Sequence, residues 1–404
     1  MTSKQPTTTA VDLLASFFNE DASDYRQYFE YSDGLRIVDF EIYAVGTEST
    51  IARYSGREEP WYVVNNLLRI TTEDGFEGLS GVNTYYHGGF SDKHLVKLRD
   101  VMAEVVQLNT MDPTEVSSIL KEQAGFADEV VASVDIALWD LAARKANQPL
   151  YKFFGAKRDV IETYASLPVY DSLGEYMDTV REYASLGYKK FKYHMWGAIE
   201  EDLRLVEATQ HEFRNSDYRF MVDLEGVYDF DDAMRLGEQM DQGLFFWFEA
   251  PVKDELLDEC AALRKKLGVQ IVPAGYTSYT PEFIQQGIDA DAWDAGRFDS
   301  TVIGGISHAL TLLTIANNGG LPIDIQSWDH TLGQLANLHL MLANDRSQYF
   351  ETPLPRSAFQ FGMKQGITFD NGRAVAPKRP GLGIEVDWDE LATAAYYDAC
   401  NKQF

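Results

Sequence analysis

The sequence has little that would stabilise it covalently and no segment that would hold it in a membrane. Only two of its 404 residues are cysteine, Cys260 and Cys400, and they lie far apart in the chain. A disulfide-stapled secreted scaffold is therefore excluded, and no cysteine–histidine cluster has the spacing of a zinc site. No apolar run approaches the ~18 residues of a membrane span, and the N-terminus does not have the pattern of a signal peptide. We expect a cytoplasmic protein.

Positive charge is also scarce. The chain has 35 basic against 63 acidic side chains, which gives a formal net charge of -28. Nothing in it could supply the basic stripe that binds a phosphate backbone, so we exclude nucleic acid as a partner. Hydrophobic residues make up 45% and aromatics 13%, a composition typical of a globular protein and not of a disordered one.

The first third of the chain has the pattern of an acidic leader followed by a small α+β domain. Residues 1–34 are polar and acidic. LRIVDFEIYAV then alternates as a strand does, WYVVNNLLRITT is a second β-rich run, and DGFEGLSGV follows with turn residues, which together indicate an antiparallel meander. Two helical patterns follow, and the longer one stops at Asn147-Gln148-Pro149.

After Lys157 the pattern becomes cyclic, with short β-rich runs that alternate with helix-length segments. Eight such runs predict a parallel β/α barrel, with an open doubly wound sheet as the alternative. No glycine-rich phosphate fingerprint follows any of them. The runs are IETYASLPVY, KKFKYHM, RFMVDLE, FFWFEAPV, QIVPAG, AWDAGRF, LPIDIQS and YFETP.

Polar side chains end seven consecutive strands of this predicted barrel, at the rim where the active sites of such barrels lie. Residues two apart in a strand face the same side, so Lys192 points with His194, and Asp223 with Glu225. Asp223 and Glu249 end adjacent strands ~5 Å apart, so one hard cation, typically Mg²⁺, can bind both carboxylates. The other rim residues are Tyr276, Asp299, Gln326 with Asp329 and His330 beyond it, and Glu351.

Each rim residue also has a purely structural interpretation. Lys192 could extend along the barrel rim, Asp223 could cap a helix, His194 could be a half-buried histidine, and Glu225 could be a solvated turn residue. His330 is equally well explained by either interpretation.

Several motifs resemble the enolase superfamily, in its mandelate racemase and muconate lactonising branch. They are GYKKFKYH, MVDLEG, FWFEAPV, AGYTSYTPEF, AWDAGRFDSTVIGGIS, QSWDHTLGQLANLHL and YFETPLP. The resemblance implies a (β/α)7β TIM-like barrel with an N-terminal α+β capping domain that the C-terminal tail completes. The predicted segments are an extension at 1–34, the capping domain at 35–157, the barrel at 158–375 and a returning segment at 376–404.

The resemblance also implies a chemistry. Such enzymes abstract the proton α to a carboxylate and stabilise the enediolate with Mg²⁺. His194 would be the base, and Lys192 would lower the pKa of His194 and bind the substrate carboxylate. Asp223 and Glu249 would hold the metal, with Glu225 as a third ligand.

Two departures from the family pattern shape the functional expectation. Tyr276 stands where a third metal carboxylate is expected, and Gln326 stands where a histidine would pair with Asp299. Racemisation needs a base on each face, so Gln326 favours a one-base reaction unless His330 swings in. Asp299 and Glu351 would then orient the substrate.

We therefore expect a Mg²⁺-dependent lyase, of the sugar-acid dehydratase type. An epimerase, racemase or cycloisomerase of the same superfamily stays open, as does a degenerate barrel that only binds a carboxylate. We expect substrate contacts from Tyr86, His87, Trp196 and Tyr276, with specificity from the loops around Ile51–Trp61 and Thr84–Phe90. The expected partner is a small carboxylate, and the expected assembly is a homo-oligomer.

Overall fold

The structure is a computed structural model, which describes residues 8–29, 36–47, 62–86, 93–124, 128–275 and 280–398. The predicted specificity loop Ile51–Trp61 lies outside these ranges. So do His87, Tyr276 and Cys400.

The N-terminal leader is partly helical and packs onto the body of the protein. Helix α1 (Ala10–Phe18) begins at Thr9, whose hydroxyl and Asp12 form a reciprocal capping box. Leu13 and Leu14 are buried in the main hydrophobic core. The Ala10 N–H donates to the carboxylate of Asp112 at 2.9 Å. A 3₁₀ turn over Ser23–Tyr28 follows α1.

A four-stranded antiparallel sheet forms the capping domain, in the order β12-β1-β2-β3. The last strand of the chain pairs with the first, so the C-terminal tail completes this sheet as predicted. The strands are β1 (Ile37–Thr47), β2 (Tyr62–Thr72), β3 (Glu77–Tyr86) and β12 (Ala395–Asp398), and the helices are α2 (Lys93–Val105), α3 (Pro113–Ala124), α4 (Asp128–Lys145), α5 (Leu150–Phe153) and α13 (Trp388–Ala394).

The second sheet is the barrel, in which six strands run parallel in the order β9-β4-β5-β6-β7-β8. They are β4 (Val160–Leu167), β5 (Lys190–His194), β6 (Arg219–Asp223), β7 (Phe245–Glu249), β8 (Gln270–Val272) and β9 (Tyr349–Pro353). The runs predicted as the sixth and seventh strands are not assigned as strands, but they pair in parallel around Gly296 and Ile323. The Gly296 N–H donates to the Pro322 carbonyl at 2.8 Å, and the Gln326 N–H donates to the Phe298 carbonyl at 2.9 Å.

Helices alternate with the barrel strands, as the cyclic pattern predicts. They are α6 (Leu173–Ser185), α7 (Ile199–Phe213), α8 (Phe230–Gln239), α9 (Leu257–Lys266), α10 (Pro281–Asp289), α11 (Ile306–Gly319) and α12 (Thr331–Ala343). A hairpin of β10 (Thr368–Asp370) and β11 (Arg373–Val375), preceded by a 3₁₀ turn over Arg356–Ala358, adds to β4. Within the described residues, every helix is too short or too polar to span a membrane.

The barrel interior is filled by a separate apolar cluster that includes Tyr164, Met221 and Trp247. Since residues two apart in a strand face the same side, Asp223 lies one step above Met221, and Glu249 one step above Trp247. The polar layer at the rim therefore rests on a closed apolar layer, which excludes water from below.

Candidate active site

The carboxyl ends of the parallel strands bring three predicted acidic residues onto one lysine. Lys192 on β5 is 1% exposed. Its Nζ lies 3.0 Å from Asp223 Oδ2, 2.9 Å from Glu249 Oε2 and 2.9 Å from Glu351 Oε1. An ammonium group has three donors, so these contacts use all of them.

A second cation, Arg297, lies in the same cluster. Its Nε is 2.7 Å from Glu249 Oε1, and its Nη2 is 2.7 Å from Glu351 Oε2 and 3.1 Å from the Tyr164 hydroxyl. Arg297 has no exposed surface. We call Lys192, Asp223, Glu249, Arg297 and Glu351 the ionic cluster.

Arg297 was not among the predicted site residues, because only Asp299, the residue that follows the run AWDAGRF, was considered there. An arginine inside a β-rich run two residues before Asp299 was the available signal. A buried cation needs a buried partner, and this one has two.

Burial and charge act against each other in the cluster. Burial would lower the pKa of Lys192, but Glu249 and Glu351 reverse this and raise it well above its usual value. Burial would raise the pKa of Glu351, but Lys192 and Arg297 hold it below its usual range. Both groups are therefore ionised at neutral pH.

His194 ends β5 beside the cluster, and its two ring nitrogens face different groups. Its Nδ1 lies 2.8 Å from the Leu167 carbonyl oxygen, which can only accept a hydrogen bond. The proton of a neutral ring is therefore on Nδ1, and Nε2, 3.3 Å from Asp223 Oδ2, carries the lone pair. Burial lowers the pKa of His194, and Lys192 adds to this against the opposing effect of Asp223, so the direction predicted from the sequence is confirmed.

Trp328 and its neighbour fix the orientation of Glu351. The indole N–H of Trp328 is 3.0 Å from Glu351 Oε1 and 3.0 Å from the Ser166 hydroxyl. The Ser327 N–H donates to Glu351 Oε2 at 3.1 Å. The Trp328 ring also meets the His194 ring edge-on, with centroids 5.0 Å apart.

Asp299 is paired with Asp329, which the sequence analysis noted but did not assign. Asp299 Oδ1 accepts from the Thr301 N–H at 2.9 Å and from Asn337 Nδ2 at 2.9 Å. Asp329 lies 3.2 Å from the Thr301 hydroxyl and 3.3 Å from Asn337 Nδ2. Burial, Asp299 and a hydrogen bond between the two carboxyl groups raise the pKa of Asp329 well above its usual value, so we expect the pair to share one proton.

The ring nitrogens of His330 both contact backbone groups, rather than pairing with Asp299 as the alternative allowed by the sequence would require. It is the N-cap residue of α12, where its ring accepts from the Leu332 N–H, and its Nε2 bonds to the Phe361 carbonyl. Its neighbour Asp329 meets Asp299 instead. The N-cap position of His330 engages one of its ring nitrogens with the first turn of α12.

Gln326 and Trp196 are both anchored near the strand ends. The Gln326 side chain is buried, and its backbone carbonyl accepts from Asn337. The indole N–H of Trp196 donates to the Tyr170 carbonyl at 2.7 Å. The backbone N–H of Trp196 donates to Asp202 at 3.0 Å. Contact of Trp196 with a substrate stays a prediction.

The expectation that Glu225 points with Asp223 assumed that the strand continues to Glu225, which it does not. A role of Glu225 as a third metal ligand stays a prediction. Strand β6 ends at Asp223, and Glu225 adopts a left-handed backbone with φ of 50°. Its N–H donates to Asp223 Oδ1 at 3.0 Å, so the chain folds back on the carboxylate. The predicted contacts of Tyr86, the last residue of β3, and of His87 and Tyr276, outside the described residues, stay predictions.

The oxygen ligands of Asp223 and Glu249 suit a hard cation. Strand register places the two residues directly opposite each other, and their oxygens converge on one cationic centre, Lys192 Nζ. No group of three or more metal-ligating side chains occurs in the part of the chain that the structure describes. Two carboxylates, with water, are a usual protein contribution to a Mg²⁺ site, so these residues fit the metal.

Comparison with known families identifies both domains. Residues 175–390 match the family described as enolase C-terminal domain-like. Residues 48–155 match the N-terminal domain of mandelate racemase and muconate lactonizing enzyme.

Curated relatives include two sugar-acid enzymes. The chain is 28% identical over 342 residues to arabinonate dehydratase of Saccharolobus solfataricus, covering 81% of this chain and 89% of that protein. It is 28% identical over 284 residues to D-galactarolactone cycloisomerase of Agrobacterium fabrum, covering 67% and 74%.

Solved structures share the fold. A crystal structure from Pseudovibrio sp., provisionally assigned as a mandelate racemase/muconate lactonizing enzyme, superposes with a TM-score of 0.86 and 31% identity over 90% of this chain and 98% of that one. L-talarate/galactarate dehydratase from Salmonella typhimurium superposes with a TM-score of 0.79 and 22% identity over 90% and 94%, in a structure that contains Mg.

Proposed function

Because the chain belongs to the mandelate racemase and muconate lactonizing enzyme branch of the enolase superfamily, we propose that it is a Mg²⁺-dependent dehydratase of a sugar acid. The observation that carries this proposal is the pairing of one oriented base, His194, with a proton-holding carboxyl pair, Asp299 and Asp329. Those two groups belong to the second and sixth of eight barrel positions, so they lie on opposite walls. The similarity to arabinonate dehydratase supports the substrate class.

In this proposal His194 accepts the proton α to the substrate carboxylate at its Nε2 lone pair. The Leu167 carbonyl holds the Nδ1–H and thereby fixes the tautomer and the ring orientation. A neutral imidazole is a competent general base near pH 7.

The Asp299–Asp329 pair supplies the proton that the leaving hydroxyl requires. The C–O bond at the β-carbon breaks, and the hydroxyl leaves with that proton as water, while the α-proton stays on His194. The remaining enol becomes a 2-keto-3-deoxy acid, and exchange with solvent restores both groups. Thr301 and Asn337 hold the carboxyl pair in place.

Asp223 and Glu249 would hold Mg²⁺, and Lys192 would bind the substrate carboxylate from the side of Glu351. When bound, the metal supplies positive charge that stabilises the negative charge developing on the substrate carboxylate. Arg297 keeps Glu249 and Glu351 in place from the buried side.

The test is a screen of aldonic and aldaric acids with purified protein and Mg²⁺, followed by a chemical assay for 2-keto acids. We expect a keto acid from at least one acid, and its loss in His194→Asn. The matched control is His211→Asn, which changes an exposed histidine on α7 and should leave turnover intact.

Two other outcomes would replace the proposed reaction. Deuterium exchange at the α-carbon without release of water would indicate an epimerase. Opening of a sugar-acid lactone without release of water would indicate a cycloisomerase, which the similarity to D-galactarolactone cycloisomerase keeps as the second candidate.

A further inference from the structure

The oxygens that a metal would use are already bound to protein cations. Asp223 Oδ2 and Glu249 Oε2 both contact Lys192 Nζ, and Glu249 Oε1 contacts Arg297 Nε. The other oxygen of Asp223 accepts the Glu225 N–H. A divalent cation can reach Asp223 and Glu249 together only if Lys192 gives up two of its three contacts.

The net charge of the ionic cluster determines whether the replacement of these Lys192 contacts by a divalent cation is favourable in free energy. With all three carboxyl groups ionised, three carboxylates face two cations, all within 5% side-chain exposure, which leaves one negative charge in excess. Addition of a divalent cation alone would convert this into one positive charge in excess. An uncompensated buried charge is expensive, so metal binding alone is disfavoured.

A substrate carboxylate removes this excess. It brings one negative charge, and the two N–H donors of Lys192 that the metal displaces become free to bind it. Lys192 would keep its contact with Glu351, which Trp328, Ser327 and Arg297 hold in place.

We propose that Lys192 competes with the divalent cation for Asp223 and Glu249, so that Mg²⁺ and the substrate carboxylate bind cooperatively. This proposal rests on the proposed function for its ligands. It assigns to Lys192 a role in excluding the metal from the site until an anion arrives.

The first test is calorimetric titration of the wild-type protein with Mg²⁺, alone and with glycolate. Glycolate is a hydroxy-carboxylate with no β-carbon, so it can bind but cannot undergo the elimination. We expect weak binding of Mg²⁺ alone and at least ~5-fold tighter binding with glycolate, at the lower end of usual coupling between sites. Equal Mg²⁺ affinity with and without glycolate would overturn the proposal.

The second test replaces the competing cation. Lys192→Met keeps the length of the side chain without its charge and should bind Mg²⁺ alone at least ~10-fold tighter than wild type, with little further effect of glycolate. The control is Lys190→Met on the same strand, because Lys190 pairs with the half-exposed Glu162. This substitution should leave the affinity for Mg²⁺ unchanged. An affinity of Lys192→Met for Mg²⁺ equal to that of the wild type would contradict competition between Lys192 and the metal.

The two proposals fail in different ways. If Lys192→Met does not fold even with Mg²⁺, the wild-type titration still decides between competition and independent binding. Failure of every sugar acid to yield a keto acid would overturn the dehydratase reaction but would leave the metal–anion coupling measurable with glycolate.

Discussion

At the scale of single residues, the buried histidines differ in what their ring nitrogens contact. His194 has Nδ1 at a carbonyl and Nε2 at the ionic cluster. His339 accepts from the Tyr151 N–H at 2.9 Å and lies 3.2 Å from the Leu382 carbonyl, so both of its nitrogens bind backbone. The Nε2 of His194 therefore faces the ionic cluster, where a ligand could exchange a proton with it, whereas His339 joins segments of the fold.

Replacement of His194, the proposed base, should lower activity without changing the fold. We expect His194→Asn to lower kcat by ~10²–10⁴-fold, the usual contribution of a general base, and to abolish exchange of the α-proton in D₂O. Circular dichroism should show an unchanged fold. Retained α-proton exchange in this variant would mean that a second base works on the opposite face.

His339 should make the folded state sensitive to acid. Burial lowers its pKa to about 4, from an unfolded value near 6.5. Its contribution to the free energy of unfolding is therefore present above pH ~6.5 and is lost as the pH falls towards 4. The loss is about 2 kcal/mol between pH 7.5 and 5.

Urea unfolding at both pH values should show this as a difference between wild type and His339→Gln. The stability advantage of wild type should shrink at pH 5, while His211→Gln, at an exposed site, should show no such change. An advantage of equal size at both pH values would exclude a neutral, buried His339.

At the scale of secondary structure elements, helix α4 connects the two domains through buried carboxylates. Asp140 accepts from the Leu79 N–H of the capping sheet at 2.8 Å and from Arg144 at 2.7 Å, and it also binds the Leu382 N–H. Asp135 accepts from the Ser307 N–H at the start of α11 at 3.1 Å. The helix therefore holds the capping sheet, a barrel helix and the C-terminal segment together.

Asp135 should make the stability of the folded protein depend on pH with a sign opposite to that of His339. Burial, against donors from Ser307 and Ser117, raises its pKa to about 7. The folded state then favours the protonated form, so its contribution is present below pH ~3.8 and is lost as the pH rises through 7.

Relative to Asp135→Asn, wild type should lose about 3 kcal/mol of unfolding free energy between pH 5 and 8. Urea unfolding measures this difference. Asp128→Asn, at a more exposed position in the first turn of α4, is the control. A pH-independent difference would mean that Asp135 stays ionised in the folded protein.

At the scale of the whole molecule, the net charge of -28 acts on stability through repulsion. The Debye length falls from ~10 Å at 0.1 M salt to ~3 Å at 1 M, so salt should weaken this repulsion in the folded state more than in the expanded chain. We expect the Tm to rise with NaCl over this range in calorimetry. An unchanged or falling Tm would show that favourable ion pairs outweigh the repulsion.

Much of the architecture was predictable because it depends on local patterns. The alternation in LRIVDFEIYAV and WYVVNNLLRITT produced two paired strands, and the cyclic β/α pattern produced the barrel. Lys192, Asp223, Glu249 and Glu351 were found because the carboxyl ends of parallel strands meet at one rim. The sixth and seventh runs do pair in parallel through backbone hydrogen bonds, although the paired stretch is too short to be assigned as regular strands.

The fold class, the rim at which the active sites of such barrels lie and the residue types available there follow from local patterns in the chain. The tertiary structure decided which of those residues meet: Lys192 with three carboxylates, Arg297 beneath them, Asp329 instead of His330 beside Asp299, and Glu225 turned back after β6. The physical reason is that these contacts join residues from different strands. Their distances are set by the closure of the barrel and by the point at which each strand ends, and neither is encoded in the spacing along the chain.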